Sequence, residues 1–261
     1  MREIASLKNP LIQRVKRLAN SKSQRRKFSQ TILEGSSLIH EYLNHFPTHS
    51  VSLLIDDEAS FSSRDQNILE RIDKENCFLV RGNLMQKISI LETNANLLAI
   101  VPIPTKTTEV TSAERTLILE DIQDPGNLGS IVRSANAFHV DRVVLSKNCV
   151  DVWSPRALRG GMGAQFSLSI YYADLASFLP KFDGKVIGFD ANSKNDFGKI
   201  DLQEYHGFIF GNEGRGLSSN VKRLIQKTAK IQTNESVESL NVAAAVAICC
   251  YEINNKIQKV I

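Results

Sequence analysis

Short apolar runs alternate with amphipathic helical patterns along the whole chain. The first hundred residues open with a helical pattern at Pro10, whose apolar positions share one face while the basic positions lie mostly away from it. Strands are then predicted at 28–33, 51–55, 77–80 and 97–101, and helices at 36–46, 67–75 and 84–90. Such alternation predicts a small α/β domain.

The second half repeats the alternation with short, wholly apolar strands. The predicted strands are 116–119, 142–145, 168–171, 186–189, 207–210 and 229–231, with helical patterns between most of them. This arrangement predicts a parallel sheet covered on both faces. The polar, proline-containing stretch before it predicts an extended linker, so we expect domains at 1–104 and 116–261 joined by a linker at 105–115.

Composition narrows the class of protein. The chain has 261 residues, of which 42% are apolar, enough for a proper core. No run approaches the roughly 18 uncharged apolar residues of a membrane helix, and no secretory signal is visible, so we expect a cytoplasmic protein without a membrane partner. The four cysteines and five histidines have no metal-ligand spacing, which predicts reduced thiols and no metal site.

Charge is unevenly distributed along the chain. Residues 1–30 hold nine Lys or Arg and one acid, Glu3, whereas the remainder holds 23 basic and 27 acidic side chains. A basic patch on a mildly acidic body is typical of proteins that bind a phosphate backbone, although a solvated basic helix face gives the same pattern. The candidate RNA-binding residues of the patch are Arg14, Lys16, Arg17, Arg25, Arg26 and Lys27.

Ligands of parallel α/β sheets bind beyond the carboxyl ends of the strands, so the loops after 119, 210 and 231 are candidate site loops. The second loop holds Gly211, Gly214 and Gly216, which alone would indicate only a tight turn. Glu213 stands among these glycines, where its carboxylate would lie near backbone N–H groups. A backbone of this kind could approach a ligand closely.

The loops after the first and the last strand both lead into helices. Asn127 can cap one helix, and Arg133 follows two turns later with a planar guanidinium that suits RNA phosphate or a developing oxyanion. Ser239 and Asn241 can cap a second helix, and the run Ala243-Ala244-Ala245 permits close packing against another backbone. Capping alone would explain both pairs, although capping and chemistry do not exclude each other.

The three segments together resemble the signature of the SpoU-type RNA ribose methyltransferases of the SPOUT superfamily, over roughly the last 145 residues. The resemblance implies a parallel-sheet domain with a deep trefoil knot, a homodimer with the site at the subunit interface, and transfer of a methyl group from S-adenosylmethionine to a ribose 2′-hydroxyl of ribosomal or transfer RNA. By position, the implied catalytic residues are Asn127, Arg133, Glu213, Ser239 and Asn241, and the implied cofactor contacts are Gly211, Ile231 and Leu240.

The N-terminal half is similar to the ribosomal-protein-like substrate-binding domain of several ribosomal RNA members, in its basic opening and in Ile32-Leu33-Glu34-Gly35. This similarity favours ribosomal over transfer RNA. The chain departs from the family pattern at Gln232 and Thr233, where Pro and Met are usual, and at Glu235 and His139, where Gly is usual.

These departures leave a rival hypothesis, a non-catalytic RNA-binding or ribosome-assembly factor that kept the fold. A second rival is a SPOUT enzyme that methylates a base nitrogen. We assign Arg133 the role of stabilising the 2′-oxyanion and binding phosphate, because a guanidinium is normally protonated, with base action as the alternative.

Overall fold

The computed structural model describes residues 1–90, 95–104, 114–234 and 236–258. The chain forms two compact units. The first comprises Met1–Thr105 together with Trp153–Phe166, and the second comprises Lys106–Val152 together with Ser167–Ile261. Most of the predicted linker at 105–115, the departure at Glu235 and the last three residues lie outside the described ranges.

The first unit is built on a mixed five-stranded sheet of order β1-β4-β3-β5-β2. Its strands are β1 (Arg2–Ile4), β2 (Gln30–Glu34), β3 (Ser52–Asp56), β4 (Cys77–Val80) and β5 (Leu97–Pro102). Its first five helices are α1 (Pro10–Asn20), α2 (Lys22–Phe28), α3 (Ser36–His45), α4 (Ser63–Glu70) and α5 (Gly82–Ile88). Apolar side chains of α1 and α5 cover one face of the sheet, and those of α3 cover the other.

The segment Trp153–Phe166 belongs to this first unit, although the sequence places it in the C-terminal domain. It contains α7 (Pro155–Gly161). Leu158 and Phe166 are buried in the same apolar cluster as α3, and the Thr31 hydroxyl donates to the Trp153 carbonyl oxygen at 2.6 Å. The segment packs in the first unit because Leu158 and Phe166 complete the apolar cover of the sheet face beside α3 and are themselves withdrawn from water there.

The second unit is built on a parallel six-stranded sheet of order β11-β9-β10-β6-β7-β8. Its strands are β6 (Thr116–Leu119), β7 (Arg142–Ser146), β8 (Ser169–Ala173), β9 (Lys185–Phe189), β10 (Tyr205–Phe210) and β11 (Lys227–Ala229). Its helices are α6 (Pro125–Ala137), α8 (Leu175–Phe178), α9 (Ser219–Leu224) and α10 (Val242–Gln258). The α/β class and the parallel sheet are therefore confirmed.

Element boundaries differ from the predictions in a few places. Phe28 ends α2 and does not begin a strand, because Ser29 turns the chain with a left-handed φ of 49°. Helix α4 starts at Ser63, earlier than predicted, because Ser62 and Asp65 form a capping box there. Strand β11 ends at Ala229, so Ile231 lies in the loop beyond it.

None of the described helices is long and apolar enough to cross a membrane. In the described ranges, no group of three or more His, Cys, Asp or Glu side chains could hold a metal ion. The four cysteines are buried free thiols.

Candidate active site

Three loops meet at the carboxyl ends of β6, β10 and β11 in the second unit. The parallel register of β6 with β10, and of both β10 and β11 with β9, brings these strand ends to one edge of the sheet. The loops are residues 120–124 and 211–218 and, in the third, the described residues 230–234 and 236–241. This is the edge where a doubly covered parallel sheet binds its ligands.

The loop after β10 folds back on itself directly at the strand end. Asn212 and Gly216 exchange two backbone hydrogen bonds of 3.1 and 2.9 Å, and Gly216 has a φ of 64°. A Cβ on Gly211 would lie 2.2 Å from the carbonyl carbon of Gly216, which no side chain could accommodate without a backbone shift. Glycine at 211 is therefore required by close backbone approach as well as by a turn.

The Glu213 carboxylate bridges this loop to the start of α6. Its oxygens accept hydrogen bonds from the backbone N–H groups of Gln123, at 3.2 and 3.3 Å, and Asp124, at 3.1 Å. It also accepts from the side-chain amide of Asn127 at 3.3 Å. The predicted placement of this carboxylate among backbone N–H groups agrees with the geometry, and the positive end of the α6 dipole stabilises the anion.

Asp124, and not Asn127, caps α6. The Asp124 side chain accepts from the backbone N–H of Asn127 at 2.7 Å, and Pro125 occupies the first helical turn. The interpretation of Asn127 as the cap is therefore wrong, because a second capping residue stands three positions earlier. Its amide is instead free to hydrogen-bond outside the helix.

Asn127 links the first loop to the third. Its side-chain oxygen accepts from the Asn241 amide at 3.0 Å, while its own amide donates to Glu213. The Asn241 side-chain oxygen accepts from the backbone N–H of Ala243 at 2.8 Å, which holds the first turn of α10. Three residues that are far apart in sequence thus form one hydrogen-bonded row, Glu213–Asn127–Asn241.

A cavity of about 460 Å³ lies beside this row. The stacked rings of Phe189 and Phe210, with centroids 4.3 Å apart, lie among its walls at the ends of β9 and β10. Five of the predicted site residues line it, namely Gly211, Glu213, Ile231, Ser239 and Leu240. The volume suits a ligand the size of a nucleoside derivative.

Comparison with known proteins agrees with this geometry. The model of the SpoU rRNA methylase family matches residues 114–251, which covers the three loops, α6 and the first part of α10. The chain belongs to this family. The SpoU match also spans the cavity and all eight residues predicted for catalysis and cofactor binding.

Among individual SpoU relatives, the 23S rRNA (guanosine(2553)-2'-O)-methyltransferase RlmP of Bacillus subtilis is 28% identical over 97% of this chain and 99% of its own length. An uncharacterised tRNA/rRNA methyltransferase of Synechocystis is 30% identical over 95% of this chain and 92% of its own. The crystal structure of the SpoU methyltransferase AviRb of Streptomyces viridochromogenes, in complex with AdoMet, shares the fold, with a TM-score of 0.84 at 21% identity over 95% of this chain and 98% of that chain.

Arg133 is not brought to the cavity within one chain. It lies exposed on α6, outside the residues that line the cavity. Six positions along a helix amount to about 600°, so Arg133 points roughly 120° away from Asn127 around the helix axis. Helical geometry therefore separates the Arg133 guanidinium from the Asn127 amide, although both belong to α6.

Arg25 does not belong to an exposed basic patch. Its guanidinium is buried and donates to the carbonyl oxygens of Leu18, at 2.5 Å, and Ala19, at 3.2 Å. The prediction that Arg25 contacts RNA is therefore wrong, because the side chain satisfies the C-terminal carbonyls of α1. Arg17, Arg26 and Lys27 are exposed, and Arg14 and Lys16 are partly exposed.

Three acidic residues of the SpoU site were not singled out from sequence. Glu120 is buried and accepts from the Ser218 backbone N–H at 2.9 Å, which fixes the end of the loop after β10. Asp121 adopts a φ of 55°, and its carbonyl oxygen accepts from the Asn212 amide at 2.8 Å. The sequence could have identified both as candidate site residues, because they directly follow the apolar strand β6.

The third is Asp190, which lines the cavity and pairs with Lys222 at 2.5 Å. Burial alone would raise the pKa of Asp190, but hydrogen bonds from Lys222 and the Asn192 backbone lower it below its usual value. The group is therefore an anion at neutral pH, and its signal in the sequence was its place just after β9.

Among the departures from the family pattern that the structure describes, those at Gln232 and Thr233 leave the cavity open. Gln232 and Thr233 both line it, so their side chains change its wall without filling it. His139 has a φ of 55°, which explains why glycine is usual at this position, and the helix end is kept by a 2.9 Å bond from the Val140 N–H to the Ala135 carbonyl.

Proposed function

We propose that the protein transfers a methyl group from S-adenosylmethionine to a ribose 2′-hydroxyl of ribosomal RNA, most naturally of the 23S type that its relative RlmP is named for. The observation that carries the proposal is the bridge made by Glu213. This one carboxylate joins the loop after β10, the start of α6 and, through Asn127 and Asn241, the start of α10, at the rim of a cavity of fitting size.

The residues of the cavity fit S-adenosylmethionine. Phe189, Phe210, Ile231 and Leu240 offer apolar surface for a purine ring, and the loop that begins at Gly211 offers backbone groups at close range. AviRb, which shares the fold, was crystallised with AdoMet. When bound, S-adenosylmethionine supplies an electrophilic methyl group on a sulfonium.

Arg133 provides the charge that the reaction needs. A ribose hydroxyl is weakly acidic, so a guanidinium that binds the neighbouring phosphate and stabilises the forming 2′-oxyanion lowers the barrier. Because arginine stays protonated, its action as a base is the less favoured alternative. The proton then leaves to water or to the substrate phosphate.

Glu213, Asn127 and Asn241 position the reacting groups. Their hydrogen-bonded row fixes three loops relative to one another, and such fixed orientation supplies much of the rate of a transfer between two bound molecules. Ser239 lines the cavity next to Leu240, with its hydroxyl available to the ribose or to the cofactor.

The active form in this proposal is a homodimer with a trefoil knot in each second unit. Ala244, Ile248 and Tyr251 form an exposed apolar stripe along α10, as a subunit interface requires. A site at the interface would also account for the absence of Arg133 from the cavity wall of its own chain. Family membership supports the knot, which is a rare exception to the rule that chains do not thread loops.

The first unit serves in the proposal as the substrate-binding domain, of the ribosomal-protein-like type that its sequence resembles. Its contacts to RNA phosphate come from Arg14, Lys16, Arg17, Arg26 and Lys27. Contacts of this kind position an RNA and leave the choice of nucleotide to groups that touch bases.

The experiment that tests the proposal is calorimetric titration of the full chain with S-adenosylmethionine and S-adenosylhomocysteine, followed by mapping of ribose methylation in ribosomal RNA from cells that lack the protein. Saturable binding together with one lost 2′-O-methyl group is the expected result. Binding with a lost base methylation would instead establish the base-nitrogen enzyme. Folded protein that binds neither ligand and changes no methylation would establish the non-catalytic RNA-binding factor.

A further inference from the structure

An exposed aromatic ring lies inside the basic segment of the first unit. Phe28, the last residue of α2, is 36% exposed, although large apolar side chains are normally withdrawn from water. The Arg14 guanidinium carbon lies 5.0 Å from the centre of its ring, and the Lys27 ammonium lies 5.8 Å from it. Two cations thus flank one accessible ring.

The charge around this ring is uncompensated. No Asp or Glu occurs between Glu3 and Glu34, whereas that stretch contains eight Lys or Arg. Among the described residues, Arg14, Arg17 and Lys27 make no ion pair. These cations are therefore available to an anionic ligand.

The ring is also held in place before any ligand arrives. Buried Arg25 ties α2 to the C-terminal carbonyls of α1, so that Arg14 on α1 and Phe28 on α2 keep their positions. Ser29 follows Phe28 in a left-handed conformation, and its carbonyl accepts from the Ile103 N–H at 2.8 Å. A fixed platform loses little entropy on binding.

A ring of this kind among unpaired cations matches the chemistry of unpaired RNA. Single-stranded nucleic acid binds where bases stack on aromatic rings or guanidinium planes while basic side chains follow the backbone. A duplex keeps its bases stacked inside, so its phosphates would contact the basic side chains but no base would stack on the ring. We infer that Phe28 with Arg14 stacks an unpaired base of the RNA substrate, while Arg17 and Lys27 bind the adjacent phosphates.

This inference rests on the proposed function for its choice of RNA, and it narrows the substrate to a strand with an unpaired nucleotide near the first unit. The test is the affinity of the full chain for a short fluorescent RNA of mixed sequence, single-stranded or annealed to its complement, measured by anisotropy over a series of salt concentrations. Phe28→Ala, Phe28→Leu and Phe28→Trp are compared with the natural protein.

Phe28→Ala and Phe28→Leu are expected to weaken binding of the single strand by about 5- to 150-fold, the range found for loss of one stacked base, and to leave duplex binding unchanged. Phe28→Trp should retain the affinity. Phe61→Ala removes another exposed phenylalanine of the first unit and serves as the control. It should change neither the affinity for single-stranded RNA nor the affinity for duplex RNA.

Arg17→Gln and Lys27→Gln should weaken both forms and reduce the dependence on salt by about one phosphate contact each. Equal effects of Phe28→Ala on single strand and duplex, or full affinity of Phe28→Leu, would overturn the inference. Each variant is first checked for the cooperative unfolding transition of the natural protein. If Phe28→Ala does not fold, the comparison uses Phe28→Leu and Phe28→Trp, which keep a large apolar side chain at this position.

The two proposals fail separately. Titration with S-adenosylmethionine and methyl transfer in the natural protein report on the enzyme without any change at Phe28. If the enzyme is active but its affinity for RNA does not change in Phe28→Ala, only the role of Phe28 in stacking is contradicted. If the protein binds no cofactor but Phe28→Ala weakens its binding of single-stranded RNA, only the proposed methyltransferase activity is contradicted.

Discussion

Single residues decide how closely the chain can approach a ligand in the SpoU site. Gly211 allows two backbone segments to meet where a Cβ would lie 2.2 Å from a carbonyl carbon. Gly214 stands three positions later, where a Cβ would meet only the Asn212 side-chain oxygen, at 3.8 Å. Two glycines of one loop therefore have different physical roles.

Gly211→Ala should lower the affinity for S-adenosylmethionine by at least about tenfold, because the backbone of the loop must shift to admit the alanine side chain. Calorimetric titration measures the effect. Gly214→Ala is the matched control and should bind nearly as well as the natural protein. Equal affinities of both variants would contradict the role given to Gly211.

Arg133→Ala should reduce methyl transfer by about 10²-fold or more, since it removes the charge that stabilises the 2′-oxyanion. Cofactor binding should stay unchanged, because the proposal has Arg133 contact the RNA and not the cofactor, and Arg133 does not line the cavity of its own chain. Single-turnover transfer with saturating RNA separates the two effects. Arg133→Lys, which keeps charge but loses the planar fork, should recover only part of the rate. Retained activity in Arg133→Ala would remove this residue from the mechanism.

At the scale of elements, side chains at the helix ends determine where several helices begin or end. Asp124 caps α6, Ser62 and Asp65 cap α4, and Arg25 satisfies the carbonyls that end α1. A capping side chain can also connect its helix to another element. Asp65 connects α4 to α3, because it accepts a hydrogen bond from the Ser36 hydroxyl at the start of α3. Caps of this kind position elements as well as ending them.

Arg25→Met should destabilise the protein by about 1–3 kcal/mol, because the buried carbonyl oxygen of Leu18 and the partly buried one of Ala19 lose their donor. The free energy of unfolding in urea, followed by circular dichroism, measures it. Arg17→Met, at an exposed position of α1, should stay within about 0.5 kcal/mol of the natural protein. A neutral Arg25→Met would mean that water replaces the guanidinium.

The capping box of α4 predicts a pH dependence of stability. Burial alone would raise the pKa of Asp65, but hydrogen bonds from Ser36 and Ser62 lower it below its usual value. A carboxylate whose pKa is lower in the folded state contributes stability above its unfolded pKa of about 3.9, and this contribution is lost as pH falls through the folded pKa.

Asp65→Asn should therefore unfold at lower urea than the natural protein at pH near 7, and the difference should shrink in acid. Urea titrations at both pH values provide the measurement. Asp73→Asn, which changes an exposed carboxylate of the same unit, is the control. A difference that stays constant with pH would assign the effect of Asp65→Asn to geometry and not to charge.

For the molecule as a whole, all thiols are withdrawn from solvent. Burial raises the pKa of each of the four cysteines, and that of Cys250 to about 12. A buried thiol of raised pKa reacts slowly with disulfide reagents. Ellman's reagent should therefore modify the native protein slowly and all four cysteines once it is unfolded in urea. Rapid release of one equivalent in the native state would show local opening around that thiol.

Sequence patterns could predict the parts of the molecule that depend on local chemistry. The apolar runs predicted nearly every strand of both sheets, because a buried strand must be apolar along its length. The three loops could be assigned to one edge because parallel strands end together there. The pattern also predicted backbone N–H groups around Glu213, although the groups that bind it belong to Gln123 and Asp124 at the start of α6 and not to its glycine neighbours.

The parts that could not be predicted depend on contacts distant in sequence. The burial of Arg25 follows from the angle between two short helices, which a basic run does not encode. The position of Asn127 between Glu213 and Asn241 requires three loops to be folded at once. The platform at Phe28 was hidden because an aromatic residue before an apolar run looks like the start of a strand.

The place of Trp153–Phe166 in the first unit has a consequence for the way the protein is made. The sheet face beside α3 is completed by Leu158 and Phe166, which leave the ribosome well after β5, the last strand of that unit. A domain normally folds once its own residues have emerged. Here the first unit must wait, with part of its core uncovered, until β6, α6 and β7 have been synthesised as well. Any pause in translation between Pro102 and Phe166 therefore prolongs the time during which this apolar face is exposed to chaperones.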